Sequence, residues 1–155
     1  MEQPREELIR IGPLELRFYL DKAHTAGGMT VFEFTVPPQA SVPLPHFHKD
    51  VDEFVYGLEG VLTFTVDGET RWIRPGDRCF VPRGASHHFS NDGTCNARAL
   101  STMAPASIGA EFFRAMARLV GAGRPADPEL MRAVMLSHGL VPTAPNQHPS
   151  NGESR

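Results

Sequence analysis

The sequence predicts an all-β domain followed by a C-terminal helical pair. Short apolar runs rich in β-branched and aromatic residues recur between Leu14 and Thr102. Glycine and proline, 14 of each, punctuate them as turns do. Past Pro105 the apolar spacing changes from that of strands to that of helices.

The strands follow in order. Leu14–Leu20, Met29–Val36, Phe54–Leu58, Val61–Val66, Thr70–Ile73, Arg78–Val81, His87–Ser90 and Ala97–Thr102 each fit a strand. Their Val, Ile, Thr and Phe content favours strand over helix, because such side chains fit a pleated surface. Asp67-Gly68 separates two of these runs and marks a tight hairpin, since a primed turn needs positive φ. About eight strands at this density suggest a sandwich or a barrel. Met1 to Glu7 is polar and is expected to be loose.

Two helices are expected next. Ile108, Phe112, Phe113, Met116, Leu119 and Val120 recur at helical spacing, and Gly121 or Gly123 can end that helix. Asp127-Pro128 reads as an N-cap followed by proline at the first helical position. Leu130, Val134 and Ser137 then share a face, and Leu140 can fold back past Gly139. Each helix is too short to stand alone, so both must dock on the sheet or on a partner.

Composition narrows the function. Hydrophobic residues make up 41% and charged residues 21%, the balance of a globular chain. The net charge is −3 with no basic block, which argues against a nucleic-acid partner. No run approaches the roughly 20 apolar residues of a membrane span. The polar, acidic start MEQPREELIR is unlike a secretion signal, so a cytoplasmic location is expected. Cys79 and Cys95 are then expected to be half-buried thiols rather than a disulfide.

The chemistry concentrates in two segments. His46 and His48 flank Phe47 just before an apolar strand, and Glu53 opens that strand. Residues two apart on a strand point the same way, so both imidazoles share a face. Glu53 shares parity with Val55 and Gly57. Two imidazoles and a carboxylate form a metal-ligand set of mixed character. A second pattern follows: Gly76, Pro82, Gly84, His87 and Asn91. Pro82-Arg83-Gly84 turns the chain sharply, and His87 starts the next strand, where it can supply a third imidazole. His24, His138 and His148 have no partner pattern and read as ordinary polar positions.

These segments resemble the two signature motifs of the cupin superfamily. The first is His-x-His-x4-Glu-x6-Gly, here His46, His48, Glu53 and Gly60; the second runs from Gly76 to Asn91. Fifteen residues separate them. A glycine upstream of His46 is missing, where Pro37-Pro38-Gln39-Ala40-Ser41 stands instead. The resemblance implies a single cupin jelly-roll barrel with the metal inside, held by His46, His48, Glu53 and His87. His88 is the rival third histidine, and motif register and strand parity favour His87. It also implies one divalent metal per chain, Fe(II) first, with Mn, Ni, Cu or Zn as other occupants. Glu53 could be a ligand or the base that takes a substrate proton. The helical course from Ile108 to Gly139 resembles quercetin-dioxygenase-like cupins and implies a lid or docking element.

One domain is therefore expected over 1–142, with the barrel at about 12–105, the helices at about 107–139 and a disordered tail at 143–155. Phe32, Phe34, Phe64, Phe80 and Phe89 could line a pocket for a planar substrate. Both faces of the strand after Glu53 are apolar, so the outer one should be covered by the helices or by a second subunit, and dimers are common in the family. The function these features imply is metal-dependent, dioxygenase-like chemistry on a small aromatic or enolisable compound. A metal-dependent isomerase, cyclase or lyase is the alternative, and a non-catalytic small-molecule-binding cupin the other.

Overall fold

A computed structural model describes residues 3–42, 44–121 and 126–144. In chain order the elements are β1 (Glu7–Ile11), β2 (Leu14–Leu20), α1 (Lys22–Thr25), β3 (Thr30–Val36), β4 (His46–His48), β5 (Asp52–Glu59), β6 (Leu62–Val66), β7 (Glu69–Ile73), β8 (Arg78–Val81), β9 (His87–Ser90), β10 (Ala97–Ala104), α2 (Ala110–Val120), α3 (Pro128–Ser137) and β11 (Leu140–Pro142).

The strands form two sheets. One has the order β1-β2-β3-β10-β5-β8, the other β11-β4-β9-β6-β7. Strict alternation drives the layering. Along β3, Thr30, Phe32, Phe34 and Val36 are buried while Val31, Glu33 and Thr35 are half-buried on the opposite face. Ala97, Ala99, Ser101 and Met103 do the same on β10. The buried faces of both sheets look toward a shared interior, giving the jelly-roll arrangement expected of a cupin. The expected closure is corrected, however. No hydrogen-bonded ladder joins the two sheets at their edges among the described residues, so the strands form an open pair of sheets rather than a closed barrel.

Local signals place the turns. Asp67 has φ 47° and Gly68 φ 83°, the double positive φ of a primed turn, and β6 pairs antiparallel with β7 across it. Gly60 has φ 63°, and a Cβ there would collide with the Asn96 carbonyl. The motif therefore needs glycine at this position for both backbone angle and space. Asp127 accepts from the N–H groups of Glu129 and Leu130, and Pro128 takes the first turn of α3, as its sequence predicts.

Three short elements differ from the sequence reading. Glu7 to Ile11 is a strand at the sheet edge, although the sequence places Glu7 in a loose start and no strand before Leu14. Asp21 and His24 cap the short α1 reciprocally. Leu140 is buried not only against α3 but within β11, which pairs with β4. The thiols also differ: Cys79 is buried and Cys95 exposed, both free. No described helix is long and apolar enough to cross a membrane. Thr143 donates its N–H to the Pro45 carbonyl at 2.8 Å, and the expected tail beyond Ala144 lies outside the described residues, as does His148.

Candidate metal centre

Four side chains meet where the two sheets face each other. β4 carries His46 and His48 two residues apart, so both rings point inward. β9 pairs antiparallel with β4 and sets His87 directly opposite His46. β5, in the other sheet, brings Glu53 from across the interior. The ring centroids lie 5.3 Å apart for His46 and His48, 4.6 Å for His46 and His87, and 4.7 Å for His48 and His87. One nitrogen from each imidazole lies within 4.8 Å of the others, a set that could hold a metal ion. Glu53 Oε2 is 3.5 Å from His87 Nε2 and 4.0 Å from His48 Nδ1.

Backbone carbonyls orient two of the rings. His46 Nδ1 lies 3.1 Å from the Leu44 carbonyl, and His87 Nδ1 lies 3.0 Å from the Ala85 carbonyl. A carbonyl can only accept, so each Nδ1 carries a proton and each Nε2 is the nitrogen turned to the site. His48 is 2% exposed, and neither of its ring nitrogens has a hydrogen-bond partner among the described residues. An imidazole buried without partners costs about 1–3 kcal/mol per unmet group. A divalent metal would satisfy it, so these residues fit such an ion.

The electrostatics fit the same set. Enclosure, then the neighbouring rings His87 and His48, pushes His46 down to about 3. Burial pushes His48 down to about 4. Both are therefore neutral, as a metal ligand must be. Burial alone would raise Glu53, but His87, His48 and the Ser101 hydroxyl together hold it at about 2. The same carboxylate raises His87 against its burial.

Apart from supplying His87, the second motif places the first. Gly84 donates its N–H to the His48 carbonyl at 2.8 Å. Arg83 grips Asp52, with Nη2 to Oδ2 at 2.8 Å and Nε to Oδ1 at 3.1 Å, and its N–H also reaches Oδ1 at 2.9 Å. The turn is thus fastened to both strands that carry the first motif. Asn91 faces no ligand. Its Nδ2 donates to the Val36 and Cys95 carbonyls, both at 2.8 Å, so it is a satisfied structural residue. His88 is the next residue on β9, points to the other side and is not among the clustered imidazoles. His24 caps α1, and His138 caps α3 against Phe112.

A cavity of about 130 Å³ opens from the imidazoles. Phe32, Phe34, Phe64 and Phe89 line it, as the sequence suggests. Phe80 does not; it is 60% exposed, because β8 buries Cys79 and Val81 and turns Phe80 outward opposite Phe54. Two contributions escaped the sequence reading. Ser101, fully buried, donates its hydroxyl to Glu53 Oε1 at 2.6 Å. A lone serine on the buried parity of an otherwise apolar strand was the available signal. The helices supply the other, with Phe112, Phe113 and Met116 from α2 and Met131 and Met135 from α3.

Residues 32–103 match the family model for the cupin domain. That match supports the cupin superfamily, and both cupin motifs fall inside it. Polyketide synthase CurC of Streptomyces cyaneus is 37% identical over 60 residues, 39% of this chain and 39% of CurC. The chain thus spans about two fifths of that relative's length. Among solved structures, the polyketide cyclase RemF of Streptomyces resistomycificus is 27% identical with TM-score 0.54, over 67% of this chain and 70% of RemF. A predicted oxalate decarboxylase of Thermotoga maritima is 28% identical with TM-score 0.59, over 64% of this chain and 91% of that one. α2 and α3 lie outside the cupin segment.

Proposed function

We propose that this chain is a metal-dependent enzyme acting on a small aromatic or enolisable compound, with His46, His48, His87 and Glu53 as ligands. One observation carries the reading. Among the described residues, those four are the only polar side chains lining an otherwise apolar cavity, so a substrate oxygen has one place to go. A bound divalent metal supplies Lewis acidity that makes a substrate hydroxyl, or a carbon between two carbonyls, more acidic. Glu53 Oε2, between His48 and His87, is the atom we assign to receive that proton. Ser101 occupies the other oxygen. Held well below the usual carboxylate range, Glu53 is anionic at neutral pH, as both ligand and proton acceptor must be.

The favoured reaction is non-oxidative ring closure. The activated carbon attacks a second carbonyl of the same substrate, a carbon–carbon bond forms, and the proton returns to the oxygen of the attacked carbonyl. Similarity to a polyketide cyclase and to a polyketide synthase protein supports this. Dioxygenase-like oxidation is the second reading, favoured by a ligand set of three imidazoles and one carboxylate, which leaves coordination positions open on a six-coordinate redox metal.

Protein loaded in turn with iron, manganese, nickel and zinc, mixed with flavonols, catechols and β-diketones that carry a further carbonyl five or six atoms along the chain, separates them. Ring closure predicts conversion that is equally fast with and without oxygen and that also runs on zinc. Dioxygen uptake matched to substrate loss, confined to the redox metals, would replace it with oxygenation. Saturable binding with no conversion of any compound would make the chain a binding module instead.

A further inference from the structure

The end of the cavity away from the imidazoles is built by helices, not strands. Phe112, Phe113 and Met116 come from α2, and Met131 and Met135 from α3. Met103 stands on β10 with its Cα opposite that of Glu53. Four of the six methionines in the chain therefore line one space. Methionine is unbranched and polarizable, and it adapts its shape to an aromatic face. Among the described residues, no polar side chain lines the helical end.

We propose that α2 and α3 form the specificity wall of the site, with Met116, Met131 and Met135 as the residues that select the ligand. The ligand they select is a rigid, largely apolar ring system with a single oxygen donor at one end. This rests on the reading that the imidazole end receives that oxygen. A second hydroxyl at the far end of such a ring would be buried among thioethers and phenyl rings without a partner. That costs roughly tenfold or more in affinity. A dicarboxylate as small as oxalate would meet the imidazole end and touch none of the helical methionines.

Methyl NMR on the full chain with 13C-labelled methionine ε-methyls tests this. The metal is zinc, which is diamagnetic, and the probes are 2-naphthol, 2,6-dihydroxynaphthalene and oxalate. 2-Naphthol should shift the methyls of Met103, Met116, Met131 and Met135 and leave Met29, 41% exposed and outside the cavity, unmoved. 2,6-Dihydroxynaphthalene should bind at least about tenfold more weakly, and oxalate should shift Met103 alone. Met131→Ala with Met135→Ala should narrow the gap between the two naphthols. Met131→Leu with Met135→Leu, which keeps the apolar volume, should preserve it. Shifts confined to Met103, or no shift at all, would overturn the wall. So would equal affinity for the two naphthols in the unaltered protein. If 2-naphthol moves the helical methyls with the same affinity whether or not zinc is present, the wall stands and the metal-anchored reading of the other end fails.

Discussion

Ser101 shows how much one buried hydroxyl can decide. Its 2.6 Å bond to Glu53 Oε1 fixes the carboxylate so that Oε2 faces His48 and His87. Partners in this supporting position typically matter 10–100-fold for metal affinity. Ser101→Ala should therefore weaken zinc binding by about 10–100-fold, measured by competition with a chelator, while Ser101→Thr retains most of it. Unchanged zinc affinity in Ser101→Ala would remove the residue from the site. The histidines set the pH response of the metal-free protein. His46 and His48, at about 3 and 4, lie below their ordinary value of about 6.5, so the unfolded chain binds their protons more readily. Stability from these two is complete above about pH 6.5 and is lost as pH falls toward 3. Glu53 acts in the same direction between its ordinary 4.5 and about 2. His87, raised by Glu53, acts oppositely: its contribution is present below about 6.5 and is lost as pH rises through its folded value. Thermal melts of metal-free protein should thus fall steadily below pH 6.5, and less steeply in the His46→Ala, His48→Ala double variant.

At the scale of elements, the turn at Gly60 is the sharpest test of the motif's structural part. Its positive φ and the Asn96 carbonyl beside it leave no room for a side chain. Gly60→Ala should cost about 1–3 kcal/mol, read as a lower denaturation midpoint with an unchanged slope. The strands, the Asp67-Gly68 hairpin, the capped α3 and the inward parity of His46, His48, Glu53 and His87 were legible because each rests on spacing within a few residues. What escaped depends on partners far along the chain. β1 and β11 are short edge strands whose pairing with β2 and β4 leaves little trace in their own composition. Phe80 and Phe64 look alike in sequence, and only the pairing of β8 with β5 turns one outward while the other is buried. Closure into a barrel was inferred by resemblance, and edge hydrogen bonding, which decides it, has no local signature. The methionines of α2 and α3 kept helical spacing whether they covered a cavity or a neighbouring subunit.

For the whole molecule, the outer face of β5 and β8 is left uncovered by the described residues. Phe54, Tyr56 and Phe80 are exposed there, because α2 packs on β1 and α3 on β11, at the far sides of the two sheets. The helices therefore do not cover it, and of the two covers the sequence suggested, a second subunit is the one we propose. A two-fold arrangement would set Phe80 of one chain near Phe54 of the other. Sedimentation at micromolar concentration should give twice the chain mass of 17.0 kDa, and Phe80→Asp should return it to one. A monomer in the unaltered protein would contradict the proposal.

The pairing of β11 with β4 also has a consequence in time. The segment bearing His46 and His48 leaves the ribosome long before Leu140, whose strand lies along its outer edge. Lys49 then donates to the Gly139 carbonyl and Thr143 to that of Pro45, so the ligand strand, held on its inner side by β9 and Gly84, gains its outer-edge hydrogen bonds only when these late residues arrive. A nascent chain, or one clipped ahead of Leu140, already has every imidazole of the cluster. It lacks the splint that keeps two of them aligned, and it should compete poorly for scarce metal until synthesis has passed that point.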